Sequence, residues 1–181
     1  MKAIVFPKAN EEEFIKIAEK LGYSSLIFVY DYSYYSNSPE IKSKLNIEKG
    51  ILCLPKEIKK AKNLSKYLFV QSSSKDREII EQNKNIFLFD LETQGKKDFI
   101  HHRASGLNQV LCKLIKEHNI SIGFSFSTVL KATSKDKLIG RIKQNIKFCK
   151  KYKIYTIYST FALKPYEMRP AKDILSFFEV I

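Results

Sequence analysis

An α/β fold with a parallel sheet is predicted by three features of this 181-residue sequence. Short runs rich in Val, Ile, Phe and Tyr alternate with helical patterns from end to end. The runs are apolar on both faces, as strands are when helices cover the sheet. About seven such units follow one another without a break, repeat or low-complexity linker. One domain over residues 1–181 is expected, a parallel β/α barrel of TIM type, small for its class and closed or incomplete. A doubly wound open sheet fits the same pattern and stays open as the alternative.

The elements follow in order. Residues 3–6 read as a strand. Asn10 then sits where a helix N-cap belongs, with Glu13 three residues on in the capping-box position. Phe14, Ile17, Ala18 and Leu21 follow at helical spacing, and Gly22 ends the helix. Further strands are expected over 25–30, 50–54, 67–71, 86–89, 120–126 and 154–158. Helices are expected over 39–45, 55–62, 75–82, 107–118 and 136–152. A last helix starts near Pro170, with Ile174, Phe177, Phe178 and Ile181 as its apolar stripe.

Charge is the outlying quantity. Lys plus Arg number 32 against 19 Asp plus Glu, a net charge of +13. Such a field favours nucleic acid, an anionic membrane or an acidic protein, and says nothing of fold. All but Arg77, Arg103, Arg141 and Arg169 of the basic residues are lysine. Where lysine dominates, an arginine marks a place that needs a planar, forked donor. Three of the four lie in segments singled out below. Cys53, Cys112 and Cys149 are isolated in apolar stretches and read as buried thiols of a reducing compartment. The opening run through Pro7 is too short for a signal peptide, and no stretch reaches the ~18 apolar residues of a membrane span. A soluble, cytoplasmic protein without membrane association is expected.

In a barrel, every strand-to-helix loop opens on one face. Loops 30–35, 71–75, 90–94, 101–105, 125–131 and 159–169 would meet there and gather cations into one surface. Three segments stand out. The first is Lys96-Lys97-Asp98-Phe99-Ile100-His101-His102-Arg103-Ala104-Ser105-Gly106-Leu107-Asn108, which sets cations, two imidazoles and a candidate cap, Ser105, before a helix. Free N–H groups at a helix start beside Lys and Arg can hold phosphate; the plainer alternative is local capping by Ser105 and Asn108. Adjacent His101 and His102 would point to opposite faces of a strand and suit no single metal ion.

The second segment is Gly123-Phe124-Ser125-Phe126-Ser127, followed by Lys131, Lys135, Lys137 and Arg141. Serines at a strand end donate to phosphate and the cations supply charge. Lys137, Arg141 and Gln144 share a helical stripe opposite Leu138, Ile142, Ile146 and Cys149; Lys143, Lys147 and Lys150 read as a solvated face. The third is Ser159-Thr160 through Lys164, Glu167, Met168 and Arg169 to Asp173. Arg169 is placed to grip phosphate with both guanidinium arms or to pair with Glu167 or Asp173. Tyr30, Tyr32, Tyr34 and Tyr35 read as packing or interface residues. No Walker loop, dinucleotide fingerprint, nucleophile elbow or Cys-x-x-Cys pair is present. Asp31, Asp90, Glu92 and Asp98 are scattered, and nothing groups them into a metal or acid–base pair.

These three segments, in this order and spacing, resemble archaeal ribonuclease P protein component 3, most closely from Asn85 onward. The resemblance implies a barrel related to polymerase-and-histidinol-phosphatase metal hydrolases. It implies a noncatalytic subunit of ribonuclease P, the ribonucleoprotein endonuclease that cleaves precursor tRNA to mature 5′ ends. Its active site is RNA, so this chain would need no cofactor of its own, and the holoenzyme's Mg2+ would sit on RNA. Ribonuclease P RNA, protein component 2 and other subunits, and precursor tRNA are the implied partners. Lys96, Lys97, His101, His102, Arg103, Lys131, Lys135, Lys137, Arg141, Lys164 and Arg169 are the candidates for RNA or partner contact. The sequence departs from the pattern twice. Phe6-Pro7-Lys8 carries none of the histidine ligands that the related hydrolases place there, and Pro170 follows Arg169 directly, where many relatives have the proline one residue later. Two other readings compete: a metal-dependent phosphoesterase on a related barrel, which needs converging histidines and carboxylates, and a general RNA-binding or protein-interaction module.

Overall fold

The computed structural model describes residues 2–94 and 97–181. Seven parallel strands lie in sequence order: β1 Ala3–Val5, β2 Ser25–Asp31, β3 Asn46–Leu52, β4 Leu68–Gln71, β5 Phe87–Phe89, β6 Ser121–Ser125 and β7 Thr156–Ser159. The helices between them are α1 Glu11–Lys20, α2 Tyr32–Tyr35, α3 Ile58–Ala61, α4 Asp76–Gln82, α5 Gln109–Glu117, α6 Phe126–Lys131, α7 Lys135–Tyr152 and α8 Ala171–Val180. A sheet whose neighbours are all consecutive, all parallel and joined by helices is a TIM-type barrel and excludes the doubly wound alternative, whose strand order reverses. None of the described helices is long and apolar enough to cross a membrane.

Seven strands leave a seam between β7 and β1. The chain after β7 fills it. Phe6 N–H donates to the Ala162 carbonyl at 2.9 Å and Ala162 N–H to the Ile4 carbonyl at 3.2 Å, a single parallel bridge. Two hydroxyls complete the closure. Ser159 Oγ accepts from Ile4 N–H at 2.9 Å, and Thr160 Oγ1 donates to the Ile4 carbonyl at 2.7 Å. Both side chains are fully buried, so each satisfies a backbone group that an eighth strand would otherwise have paired. The Ser159-Thr160 pair closes the barrel, and its hydroxyls are not presented to a ligand.

Alternation along each strand sorts the side chains. On β2, Ile27 and Val29 face inward with Ile4, Phe6, Phe69, Phe89 and Phe161. Leu26, Phe28 and Tyr30 face outward onto Phe14 and Ala18 of α1. A second outer layer packs α4, α5, α7 and α8 on β4 to β7 through Ile79, Ile115, Ile142 and Phe178. Aromatic rings fill the small interior, and two glycines make room for them. A Cβ on Gly123 would lie 2.6 Å from the Phe161 ring, and one on Gly50 2.9 Å from the Phe69 ring.

Three local expectations are corrected. No helix forms over 39–45. β3 starts instead at Asn46 and pairs with β2 over all seven residues, Ser25↔Asn46 to Asp31↔Leu52, so ladder hydrogen bonds outweigh a short, Ser- and Lys-rich helix. The Asn10 capping box does not form: Asn10 Oδ1 accepts from Lys8 N–H, and its side chain makes no cap to α1. Ser105 is not a cap either. Asn108 Oδ1 accepts from Leu111 N–H at 2.9 Å to cap α5, while buried Ser105 accepts from Gln144. The thiols of Cys53, Cys112 and Cys149 are buried and unpaired; burial pushes them up to about 12, 11 and 12 respectively.

Candidate nucleic-acid interface

At the carboxyl ends of the strands the barrel opens into a cavity of about 1070 Å³. Its rim carries Lys97, Lys131, Lys137 and Arg141; Ser125, Ser127, Thr128, Asp90 and Glu92 line it lower down, with Phe6, Phe89 and Phe161 at its base. Four of the eleven candidate residues therefore meet at one opening. Lys96 lies outside the described residues.

Two of the cations are held by carboxylates. Arg141 Nε donates to Asp98 Oδ1 at 2.8 Å, and its Nη1 donates to the carbonyls of Glu92 and Gln94 at 3.1 and 3.0 Å. Its side chain is 11% exposed. The residue expected to meet RNA instead staples α7 to the loop after β5. Arg103 reaches the same carboxylate at 3.3 Å and lies across Gly140, where a Cβ would stand 2.4 Å from its Nε. Asp98 also accepts from Ala104 N–H at 2.9 Å. Burial pushes the Asp98 carboxyl up, but this N–H and the two guanidinium groups outweigh it and hold the carboxyl below its ordinary range. Gln144 completes the clamp by bonding both backbone groups of Arg103. Thus the Lys137–Arg141–Gln144 stripe docks the 97–105 segment; only Lys137 on it faces solvent.

Lys131 is 2.8 Å from Glu167. Glu167 also accepts from Ser127 Oγ at 2.7 Å and Leu163 N–H at 2.9 Å. Burial raises the Glu167 carboxyl, yet Lys131 and these donors bring it below its ordinary value. Lys131 stays half exposed at 45% and contributes a partly neutralised charge.

Two acids at the base behave in the opposite way. Asp90 adopts a left-handed backbone, φ 62°, and accepts from Thr128 Oγ1 at 2.8 Å and Gln71 Nε2 at 3.0 Å. Burial raises its carboxyl in spite of them. Glu92 is 1% exposed, and neither carboxyl oxygen meets a hydrogen-bond donor among the described residues. Burial and the nearby Asp90 push its carboxyl up to about 8, against smaller pulls from its own backbone N–H and from the Asn145 side chain, whose N–H already donates to the Ser105 carbonyl. Burial of this kind favours the protonated form of a carboxyl. Among the described residues, no group of three or more His, Cys, Asp or Glu is arranged to hold a metal ion.

The remaining candidates lie outside the lining of the opening. His101, His102, Lys135 and Lys164 are exposed. His102 stacks on Phe99, ring centroids 4.6 Å apart, and faces the α5–α7 groove, away from the opening. Lys164 lies over the Tyr166 ring. Arg169 pairs with neither Glu167 nor Asp173; its Nη1 donates to the carbonyls of Tyr166 and Met168 at 2.9 and 2.7 Å. Tyr23 Oη donates to the Arg169 carbonyl, so the backbone at Arg169 ties the entry of α8 to the turn before β2. Asp98 and Glu167 organise this surface, and Glu92 lies buried beneath it. A lone acid inside a basic motif was the one available hint to Asp98; Glu92 carried none.

No family model matches the chain. It is similar to curated proteins named ribonuclease P protein component 3. The Methanosarcina mazei and Methanosarcina acetivorans proteins are each 28% identical over 89 residues, 46% of this chain. The Methanocaldococcus jannaschii protein is 22% identical over 96% of this chain and 80% of its own length. The match spans only 37% of the length of each Methanosarcina relative. Among solved structures, a chain in "cryo-EM structure of archaeal Ribonuclease P with mature tRNA" superposes with a TM-score of 0.78 at 20% identity, covering 99% of this chain and 82% of that one. At that identity the likeness establishes the barrel, in agreement with the strand order above.

Proposed function

We propose that this chain is a noncatalytic protein subunit of ribonuclease P that supports its catalytic RNA in cutting precursor tRNA. The similarity to three proteins of that name carries the reading. The geometry supports it chemically. Lys97 and Lys137 stand exposed at the opening, and Lys131 joins them, a placement suited to the sugar–phosphate backbone. Arg141 shapes the surface from beneath and Arg103 pins the loop beside it. Protein partners, component 2 among them, and an Mg2+ requirement residing in the RNA belong to the same proposal, as does a cytoplasmic setting.

Reconstitution tests it. Ribonuclease P RNA and its other protein subunits should cleave precursor tRNA faster at limiting Mg2+ when this chain is added. Replacing Lys97, Lys131 and Lys137 together by Gln should remove most of that gain without unfolding the chain. No stimulation by the native chain would overturn the assignment.

A further inference from the structure

The opening has two unlike walls. One is polar and cationic: Lys97, Lys137, Thr133 and Ser134, with the start of α7. The Ser134 side chain makes no cap bond to that helix, which leaves its first N–H groups to another acceptor. The other wall is apolar. Leu163 is 47% exposed, Leu52 is half-buried, and the edges of Phe6 and Phe161 lie behind them. A phosphate backbone crossing the rim has use only for the first wall. A recess of about 1070 Å³ with cations on one side and exposed leucine on the other matches a small amphipathic ligand, for sites of this kind run to about 300–1,000 Å³.

We infer that the recess receives one unpaired nucleotide of an RNA, its phosphate held by Lys97, Lys137 and the start of α7, its base laid against Leu163 and Leu52. This rests on the reading of the chain as an RNA-binding subunit. A paired nucleotide keeps its base inside the helix and cannot enter such a recess; a splayed one presents both its charge and its flat apolar face. The base adds what a bare anion lacks. At the base of the recess Glu92 is buried at 1% exposure and Asp90 is hydrogen-bonded by Gln71 and Thr128, which tempers the repulsion that exposed carboxylates would exert on the phosphate.

The test uses AMP, adenosine and inorganic phosphate as probes, with calorimetry and backbone amide shifts of the full chain. AMP should bind at least about tenfold more tightly than either part alone, with shifts concentrated at 131–138 and 161–163. Leu163→Asn should weaken AMP about tenfold and leave phosphate unchanged, whereas Lys137→Gln should weaken both. Both side chains are exposed, and unchanged thermal unfolding confirms that each variant is folded. AMP binding no tighter than phosphate, or shifts elsewhere, overturns the recess. Precursor-tRNA cleavage separates this from the parent reading. If AMP fails to bind while cleavage still depends on the rim lysines, the recess falls and the subunit assignment stands. If AMP binds selectively but the chain does not stimulate cleavage, the recess stands and the subunit assignment falls.

Discussion

The two ends of the barrel carry similar charges and use them differently. At the amino end, Glu48 points inward from β3 and takes Lys2, Lys66 at 2.8 Å and the Tyr67 hydroxyl at 3.0 Å. One carboxylate there pairs with two lysines, and both ammonium groups also lie over the Tyr67 ring. At the carboxyl end, Asp98 takes two arginines, and Lys97 and Lys137 are left on the rim. The lesson is that a +13 chain does not present its charge evenly. Arg103 and Arg141 are consumed in holding loops, and Lys97 and Lys137 stand where they can be reached. This fits the general division of labour in barrels, with stability at the amino end and ligands at the carboxyl end.

Substitutions can break this contrast, and Asp98→Ala should have the largest effect. It removes an acceptor from nearly buried Arg141, from Arg103 and from Ala104 N–H together. A loss of about 2–4 kcal/mol is expected in urea unfolding. Glu48→Gln, whose lysines are far more exposed, should cost about 1 kcal/mol or less. Equal losses at the two ends would remove the distinction. Next comes the seam: Ser159→Ala leaves Ile4 N–H buried without its acceptor and should cost about 1–3 kcal/mol.

The pH dependence of stability should also differ in sign between the ends. Burial raises the Glu48 carboxyl, but Lys2, Lys66 and Tyr67 more than reverse it and lower it to about 2. Its stabilisation is therefore present above the unfolded value and lost as pH falls towards 2. Glu92 is raised to about 8. In the folded state it keeps its proton where the unfolded chain has lost it, so its contribution is full below the unfolded value and declines as pH rises through 8. Glu92→Gln should flatten the alkaline limb and stabilise the chain at pH 8.5 by on the order of 1–3 kcal/mol. Glu48→Gln should flatten only the acid limb. Urea midpoints at several pH values measure both.

Much of the architecture was legible from pattern. Inward and outward alternation on β2 and the stripe Leu138, Ile142, Ile146 and Cys149 on α7 are hydrophobic periodicities, and burial follows them directly. The missing helix over 39–45 was not legible, because its competitor, the full-length pairing of β3 with β2, is a long-range hydrogen-bond ladder. The site was half legible. Lys131 could be placed on the rim from strand order alone, whereas Lys97 and Lys137 fall just outside the loops expected there and reach the opening only in the folded chain. Arg141 could not be assigned, since two of its acceptors are the backbone carbonyls of Glu92 and Gln94, which no side-chain motif encodes. Ser125 and Ser127 misled for a related reason. Hydroxyls at a strand end suit phosphate, but Ser125 caps α6 and Ser127 donates to Glu167.

The most direct test is the salt dependence of binding to ribonuclease P RNA. Each phosphate contact contributes about 0.7–0.9 to the slope of log affinity against log salt. Gln at Lys97, Lys131 and Lys137 should lower that slope by about 2. Gln at Lys116, Lys150 and Lys153, exposed towards the opposite end, should leave it unchanged. An equal reduction by both triples would show that the whole basic surface, and no single rim, meets the RNA.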